Sequence, residues 1–251
     1  MSTDSVRAVL FDLDDTLFAH REAVDEAVIA TLETMERAED APDVAEEQAR
    51  WRELEEHHYD RYLSGELDYR GQRRARVRAF LAPYGTSVED AAAEAWFEEW
   101  VQRYRQAFRL HDDALPCLDA LERAIPGVRF GIITNGDLAF QTAKLEALGI
   151  EQRFAHVITS GELGVAKPDP RIFEIAAERL RVRANECAYV GDRLRTDAIG
   201  ATSAGMTGVW LDRGHGPAEP ADLAEAQRLG VAVISGLGDL PGLLLDGTKA
   251  A

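Results

Sequence analysis

The chain has 251 residues, 46% of them hydrophobic, and a formal net charge of −17. This length suits one large or two small domains with a sizeable core, and the charge argues against a nucleic-acid partner, because a phosphate backbone would be repelled. The two cysteines form no disulfide framework or metal motif, no signal sequence is evident, and no apolar run approaches the ~20 residues that span a bilayer. We therefore expect a soluble cytoplasmic protein without a membrane partner; the sequence leaves its oligomeric state open.

The first strong pattern is a short apolar run that ends in a cluster of carboxylates. Residues 9–11 are typical of a buried strand, and Asp12, Asp14 and Asp15 follow them directly. Carboxylates this close repel one another, and partial burial raises the cost, so we expect a divalent cation to compensate. Hard oxygen ligands favour magnesium or calcium over zinc. Because ligands of open parallel sheets lie beyond the carboxyl ends of the strands, Asp12 is expected there.

The next segment, up to about residue 110, has a helical pattern with no strand signal. Apolar residues at helical spacing predict four amphipathic helices, around residues 24–35, 43–63, 69–84 and 90–108. Ser87 followed by Asp90 resembles a capped helix start. We take residues 18–111 as an inserted all-helical cap domain. Because it begins one turn after the carboxylate cluster, it would be placed to act as a lid.

From Ala114 onward, strands alternate with helices. The predicted strands are residues 128–134, 156–159, 187–190, 207–211 and 231–234. The predicted helices lie around residues 118–125, 138–148 and 172–180, and a further one starts near 196. This alternation implies right-handed crossovers between parallel strands. The predicted fold class is α/β, a Rossmann-like and mostly parallel sheet with helices on both faces, formed by residues 1–17 and 112–251.

Polar residues follow the ends of several predicted strands or precede a helix. Thr134 ends the second strand and Asn135 follows it, and Lys167 stands in a loop before a helix. Asp192 and Asp197 follow the fourth strand. Because parallel strands end at the same edge of a sheet, these groups can converge with the carboxylate cluster of the first strand.

These residue types together support phosphoryl transfer. A carboxylate can attack phosphorus and form an aspartyl-phosphate, provided that a cation reduces the repulsion between the nucleophile and an anionic ester. Mg²⁺ held by Asp12 and Asp192 would do this, and Lys167 would add a fixed positive charge. Thr134 and nearby backbone N–H groups would donate to the phosphoryl oxygens. Asp14 would protonate the leaving oxygen and then deprotonate the attacking water, and crowding by neighbouring carboxylates favours its protonated form.

Four motifs, in order along the chain, carry a family resemblance. Residues 12–16, of the form D-x-D-x-T, resemble the first motif of the haloacid dehalogenase-like hydrolase superfamily, and residues 134–136 resemble the second. Residues 167–168 resemble the third motif and residues 191–197 the fourth. The helical insert between the first two motifs is similar to the cap of the subgroup that closes over small substrates.

The resemblance implies a role for each matching residue. Asp12 would be the nucleophile and Asp14 the acid/base. Mg²⁺ would be bound by the Asp12 and Asp192 side chains and by the backbone carbonyl of Asp14. Binding of the substrate phosphate is assigned to Thr134, Asn135 and Lys167. Asp197 would support the metal or Lys167 from behind the residues that bind directly, and Thr16 is placed in the same outer layer.

Two departures from the family pattern bear on the reaction. Members that break carbon–halogen bonds usually lack an acidic residue at the position of Asp14, whose presence favours phosphate esters because an alkoxide leaving group needs a proton. Asp15 stands where many relatives have glycine. We therefore expect a phosphomonoester hydrolase of the phosphatase branch that acts on a small soluble phosphorylated metabolite. A phosphomutase, a 2-haloacid dehalogenase and a non-catalytic phosphate-binding protein stay open as alternatives, and so does the substrate.

Overall fold

A computed structural model of the chain describes residues 6–35 and 43–246. The chain divides into two compact units, Met1–Ala19 with Arg109–Ala251 and His20–Phe108. The predicted limits of the helical segment are residues 18 and 111. The action of this segment as a cap over the site stays a prediction.

The second unit is helical throughout its described secondary structure. Its described residues form four helices, α1 (His20–Leu32), α2 (Val44–Leu63), α3 (Tyr69–Leu81) and α4 (Asp90–Gln106). The core of this unit is aromatic, since the fully buried Trp51 ring lies 5.0 Å from the Phe80 ring and 4.6 Å from the Trp100 ring, centroid to centroid. Each aromatic side chain of this size buries a large apolar area and so contributes strongly to the packing of a small bundle.

The starts of two of these helices differ in their capping. At α2, the Asp43 side chain accepts the Glu46 N–H and the Glu46 side chain accepts the Asp43 N–H, which completes a capping box. At α4 the N-cap residue is Glu89, and its side chain makes no capping bond. The predicted capped start at Ser87 is therefore wrong.

The first unit is built on a parallel sheet. Its described residues form six strands, β1 (Ala8–Phe11), β2 (Arg129–Thr134), β3 (His156–Thr159), β4 (Cys187–Gly191), β5 (Thr207–Leu211) and β6 (Ala232–Ile234). The strands are ordered β3-β2-β1-β4-β5-β6, and all pairs within this described sheet are parallel. The predicted α/β class with a parallel sheet is confirmed. β1 is buried along its whole length, as a central strand covered on both faces must be.

The order of the strands places a crevice beside β1. The chain runs from β1 through β2 to β3 in one direction, then returns past β1 to β4 and continues to β5 and β6. Right-handed crossovers put the connecting helices on one face before this return and on the opposite face after it. Ligands of such sheets bind where the direction reverses, outside the carboxyl ends of the two strands concerned. Here those strands are β1 and β4.

The helices of the first unit cover this sheet. They are α5 (Ala114–Ala124), α6 (Leu138–Ala147), α7 (Ser160–Leu163), α8 (Pro170–Arg179), a π-helical segment (Leu194–Ile199), α9 (Gly200–Ser203), α10 (Pro220–Leu229) and α11 (Leu240–Asp246). Phe173 of α8 packs edge-to-face on Tyr189 of β4 with ring centroids 5.1 Å apart, in a cluster that also contains Leu10 of β1. Among the described residues, no helix combines the length and the apolar composition needed to cross a membrane.

Candidate active site

Three carboxylates meet at the crevice between β1 and β4. Asp12 follows β1 directly, and its backbone N–H donates to the Val190 carbonyl at 2.8 Å, which extends the pairing of the two strands. Asp192 and Asp197 follow the carboxyl end of β4. Carboxylate oxygens of Asp12, Asp192 and Asp197 all lie within 4.8 Å of one another. The structure therefore brings together residues that lie far apart in the sequence.

Lys167 places a buried positive charge among these carboxylates. Its Nζ donates to Asp12 Oδ1 at 2.6 Å, to Asp197 Oδ1 at 2.6 Å and to the Tyr189 hydroxyl at 2.9 Å. The residue is only 5% exposed. Burial alone lowers the pKa of Lys167, but Asp12 and Asp197 raise it by more, so the pKa lies above its usual value. The ammonium group therefore stays charged at neutral pH.

Asn135 holds the loop that carries this lysine. The Asn135 side-chain amide donates to the Lys167 carbonyl at 3.0 Å, and its oxygen accepts the Lys167 N–H at 2.8 Å. Asn135, which follows the carboxyl end of β2, thus uses both its nitrogen and its oxygen to hold the backbone of the loop at Lys167. Contact between Asn135 and a substrate phosphate stays a prediction.

The last residue of β4, Gly191, lies so close to Asp197 that only glycine fits there. A Cβ atom added to Gly191 would lie 2.4 Å from Asp197 Cγ, which is closer than real contacts allow. The two oxygens of Asp197 are both engaged, Oδ1 by Lys167 and Oδ2 by the Arg193 N–H at 2.9 Å. Both oxygens of Asp197 are thus already bonded, which suits the predicted support of Lys167 better than direct binding of a cation.

Asp12 and Asp192 carry more negative charge than Lys167 can balance, because Lys167 is shared with Asp197. The pKa of Asp12 is raised to about 7, chiefly by burial. Lys167 lowers this pKa, but the repulsion from Asp197 and Asp14 raises it further. The pKa of Asp192 is raised well above its usual value, first by burial and then by Asp12. Two desolvated carboxylates with this surplus of charge fit a divalent cation. Mg²⁺ would be held by the Asp12 and Asp192 carboxylates, whereas the predicted third ligand, the Asp14 carbonyl, stays a prediction.

The carboxylate of Asp14 has its own set of partners on α6. Asp14 Oδ1 forms an ion pair with Lys144 Nζ, and Oδ2 accepts from Gln141 Nε2 at 3.0 Å. The same Gln141 nitrogen donates to Thr134 Oγ1 at 2.9 Å, so Thr134 at the end of β2 joins this network. An ammonium and an amide thus contact Asp14, whereas the sequence predicts only neighbouring carboxylates around it. Sequence reasoning missed Gln141 and Lys144, whose three-residue spacing on one helix was the available signal.

A family model described as a haloacid dehalogenase-like hydrolase matches residues 6–205. The chain belongs to the haloacid dehalogenase-like hydrolases. The resemblance drawn from the four motifs is thereby confirmed, and the match includes the strands, loops and helices that carry them.

Two proteins similar to this hydrolase are phosphatases. Glyceraldehyde 3-phosphate phosphatase from Methanopyrus kandleri is 34% identical over 83% of this chain and 85% of that protein. Phosphoserine phosphatase from Thermus thermophilus is 38% identical over 60% of this chain and 59% of that protein. Among solved structures, the HAD-hydrolase YfnB from Bacillus subtilis matches with a TM-score of 0.75 at 22% identity, covering 96% of this chain and 100% of that one, which shows the shared fold.

The turn that follows Asp12 in this haloacid dehalogenase-like hydrolase has an unusual backbone. Asp15 has a φ of 60°, in the left-handed region that glycine enters most easily. Arg213 donates to the carbonyls of Asp15 at 3.2 Å and Thr16 at 2.9 Å, and it also pairs with Asp113 at 2.8 Å. Thr16 Oγ1 lies 3.5 Å from Asp12 Oδ2. The turn that follows Asp12 is therefore held from several sides, and sequence reasoning missed Arg213.

Proposed function

We propose that this hydrolase removes phosphate from a small soluble phosphorylated metabolite through an aspartyl-phosphate at Asp12, with Mg²⁺ as cofactor. The observation that carries the proposal is the position of Lys167 Nζ, 2.6 Å from both Asp12 and Asp197, beside the carboxylate of Asp192. This arrangement offers a buried nucleophile, a fixed positive charge and a carboxylate pair for a cation at one sheet edge. Together these features suit nucleophilic attack on the phosphorus of an anionic phosphate monoester.

The reaction follows from the position of each group. When bound, Mg²⁺ supplies positive charge that lets an anionic ester approach a carboxylate. An Asp12 oxygen attacks phosphorus as the bond from phosphorus to the ester oxygen breaks, and Asp14 gives a proton to the leaving oxygen. Water then attacks the phosphorus of the aspartyl-phosphate, Asp14 takes a proton from it, and phosphate leaves with Asp12 restored. Lys167 and Thr134 hold the phosphoryl oxygens throughout.

The similar enzymes support a narrower substrate class. Those reported above are named for glyceraldehyde 3-phosphate and phosphoserine. Both compounds are phosphate esters of a primary alcohol on a short carbon skeleton, and an alkoxide of this kind leaves only when it is protonated. Asp14 supplies that proton in the proposed reaction. We therefore assign this enzyme to small primary alkyl phosphates, with the helical unit as the cap that selects among them.

The test is a phosphate-release screen over a panel of small phosphorylated metabolites and 4-nitrophenyl phosphate, with Mg²⁺ or with EDTA. Activity should require Mg²⁺, and Asp12→Asn should lower it by about a thousandfold or more, because no nucleophile remains. Asp119→Asn is the matched control, since Asp119 is an exposed carboxylate of the same unit. Retained activity in Asp12→Asn would overturn the proposal.

The same screen separates the alternative reactions. Incorporation of labelled oxygen from water into the released phosphate is expected for hydrolysis, whereas a phosphomutase would return the phosphoryl group to substrate without it. Release of halide from 2-chloropropionate would instead indicate a dehalogenase, which the acidic side chain of Asp14 disfavours. A protein that binds phosphate without releasing it from any ester would be the non-catalytic alternative.

A further inference from the structure

Lys144 is a buried cation that the proposed reaction does not use. Its residue is 2% exposed, and its Nζ lies 4.6 Å from the centroid of the Phe18 ring and 5.5 Å from that of Phe140. Removing an ammonium group from water is costly unless a carboxylate and further polar or aromatic contacts replace the lost hydration. The carboxylate here is Asp14, whose side chain is 28% exposed. Lys144 is therefore buried, whereas its partner Asp14 is partly exposed to solvent.

Gln141 fixes the second oxygen of the same carboxyl group. Gln141 is 3% exposed, and its nitrogen uses both protons, one toward Asp14 Oδ2 at 3.0 Å and one toward Thr134 Oγ1 at 2.9 Å. The space for this amide depends on Gly136, because a Cβ atom there would lie 2.9 Å from Gln141 Nε2. The amide therefore ties Asp14 to the end of β2.

Both residues belong to one rigid element. Gln141 and Lys144 lie three positions apart on α6, which places them on the same face of the helix. The start of this helix is fixed by Asp137, whose side chain accepts the Phe140 N–H at 2.9 Å. With one oxygen held by Lys144 and the other by Gln141, the Asp14 carboxyl group is held in one orientation.

A purely structural role accounts poorly for this pair. Buried ion pairs are weak contributors to stability, since replacing them by apolar groups of similar volume is often neutral or favourable. The apolar wall that already surrounds Lys144, formed by Phe18 and Phe140, would accept an apolar side chain of the same length. A charged residue at this position is explained by what it does to Asp14.

We propose that Gln141 and Lys144 are positioning residues that orient the Asp14 carboxyl group for proton transfer, a role that rests on the proposed phosphatase function. In the first half-reaction the oriented carboxyl group gives its proton to the leaving oxygen as the bond between phosphorus and oxygen breaks. In the second it takes a proton from the attacking water. Neither Gln141 nor Lys144 gains or loses a proton in this scheme.

The test compares leaving groups that differ in their need for a proton. The variants Lys144→Met and Gln141→Met remove each contact with an unbranched side chain of similar length, and Lys144→Arg keeps the charge. Glu146→Gln, an exposed position on the same helix, is the control. For each protein, kcat/KM is measured with 4-nitrophenyl phosphate and with the alkyl phosphate that the wild type hydrolyses fastest, each at the pH of highest activity.

A positioning role predicts a difference between the two substrates. Because nitrophenolate leaves without protonation and an alkoxide does not, kcat/KM for the alkyl phosphate should fall about tenfold or more beyond the fall for the aryl phosphate in both Met variants. Lys144→Arg should recover part of the difference, and Glu146→Gln should show none. Thermal unfolding of each variant shows that the protein compared is folded.

The outcomes separate this inference from the function on which it rests. Equal losses on the two substrates, or no loss in folded variants, would overturn the positioning role while leaving the phosphatase intact. If either Met variant does not fold, the other Met variant and Lys144→Arg decide in the same way. A wild-type protein that hydrolyses neither class of ester would instead overturn the proposed function and this inference with it.

Discussion

Replacing Asp12 by Asn should stabilise the metal-free protein above neutral pH while it abolishes the proposed reaction. Asp12 is 6% exposed, and burial, opposed by Lys167 and reinforced by Asp197 and Asp14, raises its pKa from 3.8 to about 7. An acid whose pKa is higher in the folded protein keeps a proton that the unfolded chain has released. Stability is therefore lost as the pH rises from about 4 to about 7, and it stays low at higher pH.

The size of this loss follows from the two pKa values of Asp12. At about 1.4 kcal/mol for each pH unit between them, it reaches about 2 kcal/mol at about pH 5.5 and about 4 kcal/mol at about pH 8. Asparagine resembles the protonated aspartic acid, because it is neutral and its oxygen can still accept the bond from Lys167. The Asp12→Asn variant should therefore be more stable than the wild type by about these amounts.

The assay is urea unfolding followed by circular dichroism, with EDTA present, at about pH 5.5 and about pH 8. The control is Asp119→Asn, whose exposed side chain should leave the free energy of unfolding unchanged within about 0.5 kcal/mol. Excess Mg²⁺ at the higher pH should stabilise the wild type and narrow the gap, because binding favours the folded state. A variant that is no more stable than the wild type at about pH 8, or a gap independent of pH, would refute the reasoning.

Three further substitutions test the support of the site. Lys167→Met should abolish phosphatase activity and lower the free energy of unfolding at neutral pH by about 3–5 kcal/mol, because Asp12 and Asp197 lose their counter-charge; unchanged urea unfolding would contradict this. Gly191→Ala should destabilise by about 1–3 kcal/mol and reduce kcat, since its Cβ would displace Asp197; a crystal structure with Asp197 unmoved would argue against it. Tyr189→Phe should lower the free energy of unfolding by about 1 kcal/mol, measured by thermal unfolding, because Lys167 loses one hydrogen-bond acceptor. Most activity should remain, since no charge changes; loss of activity in a folded protein would contradict this.

The strands could be predicted because burial on both faces leaves a clear mark in the sequence. Each strand of the sheet falls within one residue of a predicted apolar run, as for β2 at Arg129–Thr134 and β6 at Ala232–Ile234. Three helices were missed, α7, α10 and α11, because they are short or lack an apolar stripe. In α10, for example, Ala226 is the one residue of its described range that is buried.

The carboxylates and the lysine of the site could be predicted because each follows a strand or precedes a helix at one edge of the sheet. The residues that support them, such as Tyr189 and Lys144, do not occupy such recognisable positions in the sequence. Tyr189 has the character of an ordinary strand residue, and Lys144 has that of a lysine on a helix surface. Their roles depend on contacts across the fold, such as that between Lys144 and Asp14, which lie 130 positions apart. Periodicity describes the neighbourhood of a residue along the chain and carries little information about such contacts.

The central position of β1 has a consequence for synthesis on the ribosome. Ala8 of this strand pairs with Arg129 on one side and Cys187 on the other, so the first strand to emerge waits for both neighbours. Pairings this distant along the chain form slowly, and an apolar strand that waits for them is exposed to aggregation. The helical unit, whose contacts are closer in sequence, can form in the meantime, whereas Asp12, the proposed nucleophile, reaches its final surroundings only after most of the polypeptide has been made.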